Sequence, residues 1–330
     1  MAAIPLPVNQ FNTPYPVLTT LNLHGSFLTI LHPGTFKFLT ALLALWIDGT
    51  GISILGSEDI AEPTLFANDM AITRFKLTDN LQLYPNSYTN MFVHLINLTT
   101  LEIRNSIYDG IPFNALAPLE KLTTLDISQN TMVGIYVSLL EHTQLLEVFN
   151  SSYNPFKLGY MEQVRTMFSR TSVLRVIDMS SNTLAMLPII PESVTYLNVA
   201  SNLISDLSGI SGNIIHLDIS ANPITSIFGV TANLLTLVIL SNSLAGINVS
   251  GFNILGKNAS VIIDIGACIN FPVPYPVCTF IRGGIRLNAT DIICPIPRIR
   301  DPSIPIAIVA GVAVAVVVPL IITIVLMCKL

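Results

Sequence analysis

An eleven-residue pattern, LxxLxLxxNxL, recurs along this chain of 330 residues and constrains its fold more than any other feature. Two clear copies begin at Leu122 and Leu174, and they place Asn130 and Asn182 in the ninth position. In all, eleven units begin at Leu18, Leu42, Ile72, Leu98, Leu122, Leu146, Leu174, Val194, Ile214, Leu234 and Ser260. Because one such unit cannot bury its apolar face alone, the repeat predicts an elongated stack in which each unit packs on its neighbours.

Each unit is expected to form a short β-strand, because its fourth and sixth positions are apolar and alternate with polar neighbours. The ninth-position asparagine can bond to backbone groups where the chain turns away from the strand. Successive units begin 20 to 30 residues apart. We call the segment that leads from one strand to the next unit the return. The longer units have room for a turn of α- or 3₁₀-helix in this segment, whereas the 20-residue units from Val194 onward leave room only for an extended return.

This pattern resembles that of the leucine-rich-repeat family, and the resemblance covers Leu18 to about Asn270. It implies an α/β fold, a solenoid of about eleven repeats with a curved parallel β-sheet on its concave face and short helical, 3₁₀ or extended returns on its convex face. The predicted division of the chain is a short N-terminal cap at 1–17, the solenoid at 18–270, a C-terminal cap and juxtamembrane linker at 271–303, a transmembrane helix at 304–328 and a tail at 329–330.

The segment from Ile304 to Cys328 has 25 residues and no charged side chain. As a helix it would reach about 37 Å, enough to cross a hydrocarbon core of about 30 Å. A buried helix of a soluble domain is the alternative, but the segment has no polar face, so we predict a membrane span. Ala307, Gly311 and Ala315 recur every four residues and could pack against a partner helix in the bilayer. The alternative is that these small residues face lipid and that their spacing arises by chance in an alanine-rich segment.

The four cysteines all lie in the last quarter of the chain. Cys268 falls in a ninth position that points into the solenoid, so we expect it to be a buried small side chain. Cys278 and Cys294 flank a segment rich in proline, glycine and arginine, and we predict that they form a disulfide bond. Closing such a loop would stabilise a cap that has little core of its own by about 3 kcal/mol in the chain-entropy model.

Two signals disagree about the side of the membrane on which the repeats lie. Arg286, Arg298 and Arg300 precede the span and only Lys329 follows it, which by the positive-inside rule favours a tail-anchored protein with its repeats in the cytosol, on an organelle membrane. The cysteine-bearing cap favours the outside. Five N-x-S/T sequons add a little weight to that side, at Asn97, Asn150, Asn248, Asn258 and Asn288. No signal peptide is visible, and the first repeat begins almost at residue 1, as though an upstream segment were absent. We expect the repeats to lie outside, at the plasma membrane.

No motif in the sequence indicates catalysis or a cofactor. The chain lacks GKS/GKT, CxxC and HExxH motifs, and its five histidines are scattered. Only 11% of residues are charged and the net charge is −5, which argues against a nucleic-acid partner. We therefore expect no enzyme activity, no cofactor and no bound metal.

The phase of the repeat predicts which side chains the sheet displays. The fifth positions are Asn22, Trp46, Lys76, Glu102, Asp126, Asn150, Asp178, Asn198, Asp218, Val238 and Asp264. From Asp126 to Asp218 acids alternate with asparagines, which favours a hydrogen-bonding ladder over a ligand site.

The departures from this alternation give two candidate binding sites. The only tryptophan lies in the first, a cluster of Trp46, Arg74, Lys76, Glu102 and Arg104. Tryptophan and arginine often anchor interfaces. The alternative is a surface cluster without a ligand, in which Lys76 pairs with Glu102 and packs over Trp46. Tyr153, Tyr196 and His216 form the second candidate. The sequence thus predicts a membrane-anchored recognition or adhesion protein that binds a protein or glycan on its concave face, with a tail-anchored cytosolic scaffold as the alternative.

Overall fold

A computed structural model describes residues 17–25, 30–31, 34–52, 54–55, 66, 71–80, 92–106, 110–112, 114–156, 165–210, 213–224, 233–240, 260–264 and 277–281. These ranges contain a 3₁₀ helix, Val137–Leu140, and the following strands. The strands are β1 (Thr20–Asn22), β2 (Ile30–Leu31), β3 (Ala44–Asp48), β4 (Ile54–Leu55), β5 (Arg74–Thr78), β6 (Thr100–Arg104), β7 (Thr124–Asp126), β8 (Val148–Asn150), β9 (Val176–Asp178), β10 (Tyr196–Asn198), β11 (His216–Asp218), β12 (Thr236–Ile239), β13 (Ser260–Asp264) and β14 (Val277–Ile281).

Twelve of these strands form one sheet, in the order β1-β3-β5-β6-β7-β8-β9-β10-β11-β12-β13-β14, and all its pairs are parallel. From β1 to β12 the third, fourth and fifth positions of each unit pair with the same positions of the next. Asn22, for example, pairs with Trp46, and Trp46 pairs with Lys76. The phase predicted for the ten units from Leu18 to Leu234 is therefore confirmed residue by residue.

The phase predicted for the last unit is wrong by two residues. Ser260 pairs with Thr236 and Ile262 pairs with Val238, so Ile262 occupies the fifth position in place of Asp264. Counted in this register, Cys268 no longer falls in a ninth position. The run Ser-Val-Ile-Ile-Asp at 260–264 continues into Ile265, so both registers put apolar residues at the fourth and sixth positions and the pattern alone could not decide between them.

The sheet also extends beyond 270, where the sequence predicted that the solenoid ends. The strand β14 pairs with β13, with Val261 opposite Cys278. The sheet thus has twelve strands among the described residues, where eleven repeats were expected, and the twelfth lies in the segment predicted as the C-terminal cap.

The core is a single apolar cluster that runs the length of the described stack from Leu31 to Ile239. Leu45, Leu125 and Ile177 each occupy the fourth position of their unit and are fully buried. Burying a side chain of this size contributes about 1.5–3 kcal/mol. Every unit therefore depends on the preceding and following units to bury its inward-facing apolar side chains, as the repeat predicted.

The turn after each strand has the same construction. The eighth position adopts the left-handed conformation, with φ between 48° and 64°, at Gly25, Gly49, Asp79, Asn105, Gln129, Tyr153, Ser181, Ser201 and Ala221. In the ninth position that follows, Asn154 donates from Nδ2 to the carbonyl oxygens of Ser151 and Ile127, both at 3.0 Å, and its Oδ1 accepts from the Met132 amide at 3.2 Å. The expected role of this asparagine is confirmed, since it joins its own turn to that of the preceding unit.

The returns differ between long and short units. In the first two units β2 and β4 pair in a small parallel sheet, and the fifth unit contains the 3₁₀ helix. The 20-residue unit from Val194 has no helix over its described residues, and its return contains a turn in which the Ile210 amide donates to the Leu207 carbonyl at 3.1 Å. No helix within the described ranges is both long and apolar enough to span a bilayer. The predicted span at 304–328 lies outside those ranges.

Candidate binding site on the open face of the sheet

A pocket of about 400 Å³ lies on the face of the sheet that carries the third and fifth positions, which we call the open face. We call this cavity the N-terminal pocket. It spans four consecutive strands, β1, β3, β5 and β6, and is lined by Asn22, Trp46, Asp48, Arg74, Phe75, Lys76, Thr100, Glu102 and Arg104. The structure thus brings together all five residues of the first predicted cluster. Its volume is in the range of ordinary ligand sites.

Register explains why residues so distant in sequence meet here. Strands in a sheet are about 4.8 Å apart, so the fifth positions of adjacent units form a continuous row. Trp46 and Lys76 are direct partners in that row, and so are Lys76 and Glu102. Arg74 lies in the neighbouring row of third positions, beside Ala44 on one strand and Thr100 on the other. These small neighbours leave open space around the Arg74 side chain.

The ion pairs of the pocket involve a third row, formed by the seventh positions. Lys76 Nζ lies 3.3 Å from an oxygen of Asp48, a seventh-position residue, so the alternative in which Lys76 pairs with Glu102 is wrong. Glu102 pairs instead with Arg104, also at a seventh position, at 3.5 Å. Arg104 Nε lies 3.9 Å from Asp126 Oδ2 and has no hydrogen-bond partner among the described residues. The fifth-position pattern could not have indicated these partners.

Burial raises the pKa of the Glu102 carboxyl above its ordinary value. Arg104 and Lys76 oppose this effect, while the carboxylates of Asp126 and Asp48 add to it. The lining carries three cations (Arg74, Lys76 and Arg104) and two anions (Asp48 and Glu102), and therefore one positive charge in excess when Glu102 is ionised.

Further along the sheet the acids form the expected hydrogen-bonding ladder. The Asp178 carboxylate accepts from the Ser180 amide at 2.9 Å, from Ser180 Oγ at 2.7 Å and from Asn198 Nδ2 at 3.1 Å. Asp126 and Asp218 accept in the same way from the amides of Ser128 and Ser220.

This ladder is not displayed to solvent, as the fifth positions were expected to be. Asp126, Asn150, Asp178 and Asn198 are 1–7% exposed, because their side chains fold over the amides two residues later. Burial raises the pKa of Asp178 to about 6 and also raises the pKa values of Asp126 and Asp218.

Only two of the three residues in the second predicted cluster meet. The rings of Tyr196 and His216, neighbours in the third-position row, have centroids 6.4 Å apart. Burial raises the pKa of the Tyr196 phenol and lowers that of the His216 imidazole. Tyr153 occupies the eighth position of its own unit, with φ 56°, so it lies on the turn beyond β8 and away from the third-position row.

Two of the predicted glycosylation sequons lie in described segments. Asn97 is partly exposed, and its Oδ1 accepts from Lys121 Nζ at 2.7 Å. Asn150 is 5% exposed and belongs to the ladder, where its Oδ1 accepts from the Ser152 amide at 3.0 Å. A glycan on Asn150 would require this side chain to leave the sheet.

The other predicted sites lie outside the described residues. They are Asn248, Asn258 and Asn288, the disulfide partner Cys294, and Ala307, Gly311 and Ala315. Cys278 itself lies in β14. Within the described part of the chain, no cluster of three or more His, Cys, Asp or Glu side chains is placed to hold a metal ion.

Sequence reasoning missed three of the polar lining residues of the N-terminal pocket. Asn22 lies in the fifth-position row, but the candidate cluster was chosen around its neighbour Trp46 and did not include it. Asp48 and Thr100 lie in the seventh and third rows, and only a comparison of all three rows across neighbouring units would have found them.

Comparison with known proteins gives similarity at the level of the fold. No family model matches the chain, and no curated protein matches it. Among solved structures, the leucine-rich-repeat domain of APL1B is similar, with 16% identity and a TM-score of 0.51 over 79% of this chain and 81% of that one. A chain of the Drosophila Toll–Spatzle complex has 20% identity and a TM-score of 0.56 over 75% of this chain and 34% of that one. Together with the repeat phase and the parallel sheet, these similarities show that the chain has a leucine-rich-repeat fold.

Proposed function

We propose that this chain is a non-enzymatic recognition protein that binds a protein partner through the N-terminal pocket. The observation that carries the proposal is the position of the only tryptophan. Trp46 is partly buried on the open face, in the wall of a pocket that also contains Arg74 and two ion-paired cations. Tryptophan and arginine are enriched among the residues that dominate binding energy at protein interfaces.

The fold supports this class of function without identifying the partner. A chain with a similar fold occurs in the Toll–Spatzle complex, which is an assembly with a protein partner. Folds of this kind carry many unrelated functions, so the partner must be inferred from the side chains of the site. A glycan partner is the alternative ligand class for the same pocket.

The proposal extends to a membrane anchor. We place a membrane span at the uncharged segment 304–328, which is supported by its length and composition. We place the repeats outside the cell, at the plasma membrane, which is supported by the cysteine-bearing segment before the span. A tail-anchored scaffold with its repeats in the cytosol is the alternative, supported by the arginines that precede the span. Ala307, Gly311 and Ala315 offer a face on which a partner helix could pack in the bilayer.

Partner capture by the full chain tests the binding role. The chain is purified in lipid nanodiscs and used to recover interacting proteins, and the same is done with Trp46→Ala and with His142→Ala. His142 is exposed and lies outside the pocket, just after the 3₁₀ helix, which makes it a matched control.

The partner is expected to be lost with Trp46→Ala, with affinity reduced about 30-fold, as for a residue that contributes about 2 kcal/mol. It should be retained with His142→Ala. Recovery of the same partner at equal affinity by all three proteins would contradict the proposed site.

A further inference from the structure

Arg74 departs from the composition of its row on the open face. Over the ten units whose register is confirmed, the third positions are Thr20, Ala44, Arg74, Thr100, Thr124, Val148, Val176, Tyr196, His216 and Thr236. Arg74 alone carries a permanent charge in this row. It is also exposed and lines the N-terminal pocket.

The other two cations of the pocket are already paired. Lys76 lies 3.3 Å from the Asp48 carboxylate. Arg104 lies 3.5 Å from Glu102 and 3.9 Å from Asp126. Among the described residues, the Arg74 guanidinium has neither an ion pair nor a hydrogen bond.

Position in the sheet explains why Arg74 stays unpaired. Its lateral neighbours Ala44 and Thr100 carry no charge. Asp48 lies four residues further along the neighbouring strand, a rise of about 13 Å. Glu102 is nearer, but its carboxylate already contacts Arg104. Within the described stack no carboxylate lies within 4 Å of the Arg74 guanidinium.

The groups that remain free around Arg74 are mainly hydrogen-bond donors. In the described part of the chain, the indole N–H of Trp46 has no acceptor. Asn22 uses its Oδ1 to accept from the His24 amide at 2.8 Å, which leaves its NH₂ group as a donor. Thr100 adds a hydroxyl to the same lining. A bound group must therefore supply acceptor oxygens and negative charge.

Resting on the proposed function, we infer that the N-terminal pocket recognises a carboxylate of the partner protein, an Asp or Glu side chain flanked by an apolar group. Arg74 binds the carboxylate, for which the planar guanidinium offers two parallel N–H bonds. Trp46 forms the apolar wall against which the flanking group packs.

The charge of the pocket favours a carboxylate over a phosphate. Lys76 and Arg104 are ion-paired, so among the described residues Arg74 is the one cation of the lining without an ion pair, and a single carboxylate neutralises it. A phosphate monoester carries about −1.5 to −2 at neutral pH and would be repelled by the carboxylates of Asp48 and Glu102 in the same lining. A sulfated sugar is a different class of ligand and serves as an outcome of the test.

Trp46 supplies the readout for this test, because it is the only tryptophan of the chain and its fluorescence reports on the pocket alone. The full chain in nanodiscs is titrated with three acetylated, amidated tetrapeptides, Gly-Phe-Asp-Gly, Gly-Phe-Asn-Gly and Gly-Phe-Lys-Gly, and with a sulfated disaccharide. The titrations are repeated with Arg74→Gln and with Arg175→Gln. Arg175 is exposed at the second position of its unit and outside the pocket, so it is the matched control.

The aspartate peptide is expected to change Trp46 emission saturably and to bind about tenfold more tightly than the asparagine peptide, since a hydrogen-bonded charge pair contributes at least about 1.4 kcal/mol. This preference should disappear in Arg74→Gln and remain in Arg175→Gln. Equal binding of the aspartate and asparagine peptides, an unchanged preference in Arg74→Gln, or a response to the sulfated disaccharide alone would each overturn the inference.

The partner-capture experiment separates failure of this inference from failure of the proposed function. A partner lost with Trp46→Ala but retained with Arg74→Gln would overturn carboxylate recognition and leave the binding site in place. A partner retained by both variants would overturn the site itself.

Discussion

At the residue scale, the eighth position of the repeat adopts a left-handed backbone conformation that the sequence pattern does not reveal. Glycine, aspartate, asparagine, glutamine, tyrosine, serine and alanine all occupy it, and all have φ near 50–60°. The conformation is costly for residues with a Cβ unless a local hydrogen bond compensates. The Asn105 side chain bonds instead to the turn of the preceding unit, from its Nδ2 to Asp79 Oδ1 at 2.8 Å. Ala221, with φ 51°, has no polar side chain to form one.

Ala221→Gly is therefore expected to raise the free energy of unfolding by about 1 kcal/mol, because glycine adopts positive φ without the Cβ clash. Ala200→Gly is the control. Ala200 lies one position before the turn residue of the preceding unit and does not have positive φ, so the substitution should destabilise by about 0.5–1 kcal/mol. Urea unfolding monitored by circular dichroism measures both, and a loss of stability in Ala221→Gly would contradict the assignment of this turn.

Asp178 predicts a pH dependence of stability. Its pKa is about 6 in the folded chain against an ordinary value of 3.8, because it is buried. The folded state therefore binds the proton more tightly than the unfolded state, and this contribution to stability is greatest below pH 3.8 and is lost as the pH rises through about 6. The difference between these two pKa values corresponds to about 3 kcal/mol of unfolding free energy.

Asp178→Asn should remove this part of the pH dependence, so the difference in unfolding free energy between the parent chain and the variant should favour the parent progressively as the pH falls from 7 to 4. Asp206 provides the opposite control, because hydrogen bonds from Ser208 lower its pKa. The contribution of Asp206 is present above its ordinary pKa and is lost as the pH falls through the lowered value. A difference for Asp178→Asn that stays constant between pH 4 and 7 would show that this carboxyl is not perturbed.

At the element scale, the sequence specified most strands because spacing and polarity agreed. In the units from Leu18 to Leu234 only one register puts the fourth and sixth positions inside, and the predicted and observed pairings coincide. In β13 the apolar residues are consecutive, so two registers were possible and the wrong one was predicted. The ion pairs of Lys76 and Arg104 were missed because each connects a fifth position with a seventh. Such a contact depends on the conformations of long, flexible side chains, which the repeat pattern does not specify.

The close packing of returns in the short units was also not predictable, since it depends on three-dimensional contact between two units. A Cβ added at Gly209 would lie 3.0 Å from the Pro188 carbonyl oxygen and 3.3 Å from Leu187 Cβ, both in the preceding unit. The Gly209 carbonyl also accepts from the Ile190 amide at 3.2 Å. The absence of a side chain thus lets these two returns bond to each other.

Gly209→Ala is expected to lower the free energy of unfolding by about 1–3 kcal/mol, as for other overpacked sites. Gly110→Ala is the matched control, because a Cβ there meets nothing within 4 Å and its φ is not positive. This substitution should be neutral or stabilise by up to about 1 kcal/mol. Thermal unfolding of the two variants gives the comparison, and equal stabilities would mean that the returns do not pack as closely as the structure has them.

At the scale of the whole molecule, stability and binding depend on the same stacking. Each unit buries its apolar row only against its neighbours, and the N-terminal pocket exists only where four strands lie in register. A destabilised unit between β1 and β6 would therefore disturb the pocket as well as the core.

The orientation of the chain in the membrane can be tested through the sequons. If the repeats lie outside, the expressed full chain should carry N-glycans, and Asn97→Gln should reduce the mobility shift that glycosidase digestion produces. Asn150→Gln should leave the shift unchanged, because Asn150 is 5% exposed and bonded within the sheet. Mobility unaffected by glycosidase, in a chain expressed with its native N-terminus, would favour the cytosolic orientation.

The most direct test of the account is hydroxyl-radical footprinting of the full chain with and without its captured partner, because oxidation reports the exposure of individual side chains. We predict that the partner protects Trp46, while Tyr136 and Tyr153, exposed at 45% and 43% outside the pocket, keep their oxidation rates. Unchanged oxidation of Trp46 in the complex, with protection at Tyr136 instead, would show that the partner binds elsewhere and would contradict the central claim.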